Sequence, residues 1–108
     1  MSMMTKRKKR SDRNHIVYML KVRNQAYVGV TVVSNGSIVK SMRRRWLKHV
    51  QRAMAEDRAW KLCEAIRKYG AEAFDVEILE VVRGKSQAHT VERDLIRKIN
   101  PKLNTDIR

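Results

Sequence analysis

The sequence predicts an α+β domain, a small three-stranded antiparallel sheet flanked by helices, in the order β-β-α-α-β-α. Three observations carry this reading. Two β-branched runs with a tyrosine in each, "HIVYMLKV" (15–22) and "AYVGVTVV" (26–33), are separated only by "RNQ", which predicts a hairpin. Two stretches with apolar residues at helical spacing follow. After them, "FDVEILEVV" (74–82) reads as a strand, and a last periodic stretch reads as a third helix.

Taken in order, residues 1–13 carry the run "KRKKR" and no hydrophobic period, so they predict an extended, disordered basic arm ahead of a domain over 14–108. In the hairpin, Asn24 is the residue expected to adopt a left-handed turn conformation. Gly29 interrupts the second strand, a place where a missing side chain lets another group approach closely. "SNGSIVK" (34–40) is expected to be a loop, with Asn35-Gly36 as its turn. Ser41 then caps a helix whose stripe is Met42, Trp46, Val50 and Ala53. Its other faces carry Arg43, Arg44, Arg45, Lys48, His49 and Arg52 and predict a cationic exterior.

A second helix is expected from about Arg58 to Tyr69, with Asp57 as cap, Gly70 as stop, and Trp60, Leu62, Cys63 and Ile66 buried. "FDVEILEVV" turns apolar on both faces and predicts a well-covered strand. The last helix is expected from a cap at Ser86 to Ile99, with Val91, Leu95 and Ile99 as its stripe; Asn100-Pro101 ends it and "KLNTDIR" forms a tail.

Charge narrows the function. Among 108 residues, 25 Lys and Arg stand against 11 Asp and Glu, a formal net charge of +14. Such a field is relieved by a polyanion, and nucleic acid is the leading partner because phosphates release counterions on binding cations. A ribosome-associated protein or an anionic membrane surface are the rival uses of the charge. No segment has the apolar length of a membrane span, and the basic start has no apolar run behind it, so an intracellular, cytoplasmic location is expected. One cysteine, Cys63, cannot form an internal disulfide, and His15, His49 and His89 show no metal-ligand spacing.

Singly, the remaining polar residues have ordinary readings. Tyr18 and Tyr27 suit strands, Arg45 and His49 are four apart on one cationic helix face, and Glu92 is a helical acid with basic neighbours. Their order is more specific. "IVY" (16–18), "YVG" (27–29), "RWLKH" (45–49), "VERDLI" (91–96) and "NPKLN" (100–104) together resemble the GIY-YIG nuclease family over about residues 14–105. Ile16 stands where that family has its first glycine, and the stretch from Gly29 to Arg45 is longer than usual, with "SNGSIVK" as the insertion.

The resemblance implies a metal-dependent endonuclease acting on double-stranded or branched DNA. Tyr18, Tyr27, Arg45, His49, Glu92 and Asn104 occupy the family's catalytic positions. Glu92 would hold one divalent cation, magnesium or manganese. Tyr18 or Tyr27 would be the general base, with Tyr18 preferred and Tyr27 positioning water or phosphate. The phenol would be biased toward ionisation by Arg45 and His49, Arg45 would stabilise the phosphate, and Asn104 would hold the site together. Arg43 and Arg44 are alternatives to Arg45. DNA contacts are expected from Lys6, Arg7, Lys8, Lys9 and Arg10 of the arm, and from Gly29, Lys40, Arg43, Arg44, Lys48 and Arg52. Specificity would come from the arm, the insertion, a homodimer or a partner protein, as in a stand-alone homing-type or mobile-element nuclease of a phage or bacterium. The rival from another class is a non-catalytic basic nucleic-acid-binding module on the same fold.

Overall fold

The computed structural model describes residues 13–34, 36–55 and 60–104. Its elements are β1 (Asn14–Val22), β2 (Gln25–Val32), α1 (Ile38–Ala55), α2 (Lys61–Tyr69), β3 (Asp75–Arg83) and α3 (Lys85–Ile99), with 3-10 turns at Ala71–Ala73 and Lys102–Asn104. The sheet is antiparallel throughout, in the order β2-β1-β3. The chain therefore has the α+β layout and the β-β-α-α-β-α order that its periodicities predict. The arm residues Lys6 to Arg10, and the expected turn and cap residues Asn35, Asp57 and Arg58, lie outside the described residues.

β1 is the central strand, and its "IVY" run is buried on both faces. Ile16, Tyr18, Leu20 and Val22 point to one side, where they form the main core with Met42 and Ala53 of α1, Leu62, Cys63, Ala65 and Ile66 of α2, Phe74 and Leu103. Trp46 packs on this core and lies 5.3 Å from the Phe74 ring. Each such aliphatic side chain contributes about 1.5–3 kcal/mol when fully buried. The alternate residues Val17 and Val28 are buried outside that cluster, which leaves the other face to α3, where Ala88 is fully buried. Ile16, at the family's glycine position, is accommodated because its side chain enters the α1–α2 core.

Several local expectations are corrected. The hairpin closes with Val22 opposite Gln25, and Arg23, not Asn24, takes the left-handed conformation, at φ 54°. That conformation is costly for a non-glycine residue. The Arg23 guanidinium offsets part of the cost by lying over the Tyr69 ring, 5.0 Å from its centroid. α1 begins three residues before Ser41, at Ile38. Ser37 caps it, its Oγ accepting from the Lys40 N–H at 3.2 Å. Ser41 is instead buried inside the first turn, where its hydroxyl donates to the Ser37 and Ser34 carbonyls and accepts from the Ser34 N–H. The insertion is therefore partly helix.

α2 starts at Lys61 with Trp60 as an extended cap, and Trp60 is exposed where burial is expected, with Ala65 taking the core position. Gly70, at φ 88°, ends it as expected. β3 is not well covered, because it is an outer strand. Val76, Ile78 and Val81 each remain nearly two fifths exposed, β1 having taken the central place. α3 is capped by Gly84 rather than Ser86 and ends at Asn100, which takes a left-handed conformation. The segment after Pro101 is not a free tail through Asn104: it forms a 3-10 turn whose Leu103 enters the core. No helix among the described residues is long and apolar enough to cross a membrane.

Candidate active site

Cross-strand pairing sets the first part of the site. Tyr18 on β1 faces Gly29 on β2, and Tyr27 lies two residues before Gly29 on the same face. A Cβ on Gly29 would stand 2.6 Å from the Tyr18 hydroxyl oxygen, 2.8 Å from its Cζ and 2.9 Å from Tyr27 Cε2. The close approach that the missing side chain permits at Gly29 is therefore that of the two phenols. Gly29→Ala is expected to lower stability by about 1–3 kcal/mol, because two buried rings must shift. Thermal denaturation checks this, and an unchanged melting temperature would contradict the packing just described.

α1 closes over the phenols. Arg45 and His49, one helical turn apart, both reach Tyr18: Arg45 Nε donates to the hydroxyl oxygen at 3.2 Å, and His49 Nε2 lies 2.8 Å from it. The Tyr27 ring packs beside that of Tyr18, with centroids 6.3 Å apart, and meets the His49 ring edge-on at 5.4 Å. Arg45 can only donate, so the Tyr18 oxygen accepts from it and directs its own proton to His49 Nε2. The imidazole proton then sits on Nδ1.

His49 is a correction to the cationic exterior expected of this helix: it is 8% exposed, and burial together with Arg45 and Arg52 pulls its pKa down to about 3. It is neutral near pH 7 and accepts a hydrogen bond rather than supplying positive charge. The phenols are likewise not biased toward ionisation in the free protein. Burial raises both pKa values and outweighs the opposing effect of Arg45. Of the three candidate arginines, Arg45 contacts Tyr18, Arg44 is exposed and donates to Ser34 Oγ, and Arg43 borders an apolar groove with Trp46 and Ile78.

Glu92 enters from α3. Its side chain is 21% exposed, its Oε1 lies 3.2 Å from His89 Nδ1, and its charge contributes to raising the pKa of both Tyr18 and Tyr27. Asn104 does not touch the phenols. Its side-chain oxygen accepts from the Val28 N–H at 2.8 Å and its amide donates to the Val28 carbonyl at 2.9 Å. The amide thus supplies the pairing that an outer strand lacks, and pins β2 between Tyr27 and Gly29.

Beside this cluster lies a cleft of about 700 Å³, bordered by β2, α1 and α3. Arg13, Arg44, Arg45, Lys48 and Lys85 line it with His15 and His89, and no Asp or Glu is among the described lining residues. Of the expected DNA contacts, Arg44 and Lys48 reach the cleft, while Lys40, Arg43 and Arg52 do not line it. Arg13, Lys85 and His89 were not singled out from the sequence, although His89 and Glu92 stand at the three-residue spacing that places both on one helix face.

Among the described residues, no group of three or more His, Cys, Asp or Glu side chains is gathered to hold an ion. The site therefore builds no all-protein cage. A single accessible carboxylate beside a cationic cleft does suit magnesium, which retains several waters and takes other ligands from substrate phosphate.

Fold and site together define a small basic α+β domain with a buried tyrosine–arginine–histidine cluster opening beside a cationic cleft. No protein-family model matches the chain, and comparisons with curated proteins and with solved structures give no match.

Proposed function

We propose that this chain is a metal-dependent DNA endonuclease of the GIY-YIG type, working inside the cell, that hydrolyses a phosphodiester bond with Tyr18 as general base. The observation that carries the reading is the Tyr18 hydroxyl, buried yet bonded at once to Arg45 and His49. A strand aromatic needs one partner for its hydroxyl; a donor and an acceptor together suit an oxygen whose proton must move.

The cleft attracts a DNA backbone through Arg44, Lys48 and their neighbours. Arg45 uses Nε to hold Tyr18, which leaves its terminal nitrogens for a phosphate oxygen on which charge develops. As Tyr18 takes a proton from the attacking water, its own proton passes to His49 Nε2, the acceptor it already faces. Burial first, and repulsion by Arg45 and Arg52 second, keep His49 neutral in the free protein; an anionic phosphate beside Arg45 weakens the second of these. Tyr27, whose ring packs beside those of Tyr18 and His49, positions the water or the phosphate. Glu92 would hold the divalent cation, whose role when bound is to polarise the phosphoryl group and stabilise the leaving oxygen. Asn104 keeps β2 in register with this cluster.

The direct test is nicking of supercoiled plasmid by the purified chain, with magnesium or with EDTA, beside Glu92→Ala. Nicking is expected only for the unaltered chain with metal. Equal nicking by both chains, or none by the unaltered chain on plasmid and on branched DNA, would refute the proposal and favour a binding module.

A further inference from the structure

His89 has no part in the mechanism above, yet it lines the cleft and contacts the Glu92 carboxylate. It lies one turn before Glu92 on α3, its Nδ1 is 3.2 Å from Glu92 Oε1, and it lines the cleft together with Arg45. The side chains are 45% and 21% exposed, so an ion arriving from solvent can reach both. We propose that His89 and Glu92 form a two-ligand divalent-cation site, an imidazole nitrogen and a carboxylate oxygen, that prefers a first-row transition ion such as Mn2+ to Mg2+. The proposal deepens the nuclease reading and rests on it for the place of the ion in catalysis.

Geometry and donor chemistry both support it. Two neighbouring ligands of an octahedral ion, each at about 2.1 Å, lie roughly 3.0 Å apart. The His89–Glu92 separation is close to that value, so an ion can replace the hydrogen bond with little movement of either side chain. His and Glu three residues apart on a helix present both donors to one side. A carboxylate alone suits magnesium, whereas an added imidazole selects transition ions, whose affinity for nitrogen donors is higher. A neutral imidazole also adds a ligand without adding negative charge to the phosphate-binding cleft.

Pulsed electron paramagnetic resonance of the full chain with Mn2+, without DNA, tests the site independently of activity. Modulation from a directly bound nitrogen is expected in the unaltered chain and lost in His89→Ala, where an exposed helical position accepts alanine without unfolding. Calorimetric titrations are expected to show Mn2+ affinity falling about tenfold or more in that variant, and Mg2+ affinity falling less. Absence of Mn2+ binding, or Glu92-dependent binding with no nitrogen modulation, would overturn the assignment. So would an equal loss of Mn2+ and Mg2+ affinity, which would make His89 only a hydrogen-bonded support for Glu92. Plasmid nicking without nitrogen modulation rejects the His89 site and leaves the nuclease reading standing. Nitrogen modulation without nicking keeps the site and rejects the nuclease.

Discussion

Tyr18→Phe is expected to slow plasmid nicking by about 10²- to 10⁴-fold, the usual contribution of a positioned general base. The substitution keeps the ring that packs over Gly29 and removes the oxygen on which Arg45 and His49 converge. Structure also suffers, since the buried His49 Nε2 loses its donor, at a cost of about 1–3 kcal/mol. Rates are therefore best compared well below the melting temperature of the variant, with folding followed by circular dichroism. Tyr27→Phe serves as the control, because it removes the neighbouring hydroxyl and leaves Tyr18, His49 and Arg45 in place. Its rate is expected to lie between those of the other two proteins. A Tyr18→Phe protein that nicks within a factor of about three of the unaltered chain would remove Tyr18 from the chemistry.

The second large effect is on stability in acid. His49 has a folded pKa of about 3, with burial as the main cause and Arg45 and Arg52 adding to it. An unfolded histidine titrates near 6.5. Between these values the unfolded chain binds the proton and the folded chain does not, so stability falls as pH falls from about 6.5 toward 3. At pH 4.5 the loss from this one residue is on the order of 2 to 3 kcal/mol relative to pH 7.5. Carboxylates also begin to titrate there, which makes the comparison with His49→Gln the decisive measurement. Glutamine keeps an acceptor for Tyr18 and does not titrate, so urea unfolding of that variant should lose much less stability between the two pH values. Equal losses in the two proteins would mean that His49 is not held neutral by its surroundings.

Much of the fold was legible because it rests on local rules. β-branched runs around a short polar connection form the β1–β2 hairpin, and the Met42–Trp46–Ala53 stripe forms α1. Gly29 was also legible as a place of close approach, although the approaching group is Tyr18, a partner that strand register alone brings opposite. Where several local choices were nearly equal, distant contacts decided. Stacking on Tyr69 accompanies the left-handed conformation of Arg23, and the Ser34 backbone holds Ser41 inside α1 while Ser37 caps it. β3 and β1 are both apolar on alternate faces, and only sheet order made one central and the other an exposed edge.

The same division holds for the candidate site. By itself, the sequence determined a basic α+β chain with Tyr18, Tyr27, Arg45, His49, Glu92 and Asn104 on successive elements, since residue type, period and charge are properties of short stretches. Tertiary structure alone decided that His49 is buried and neutral, that Asn104 clamps Val28 from 76 positions away, and that His89 lines the cationic cleft beside Arg45. Burial and hydrogen bonding depend on which elements meet, and a pKa follows from that meeting rather than from the residue's neighbours in sequence.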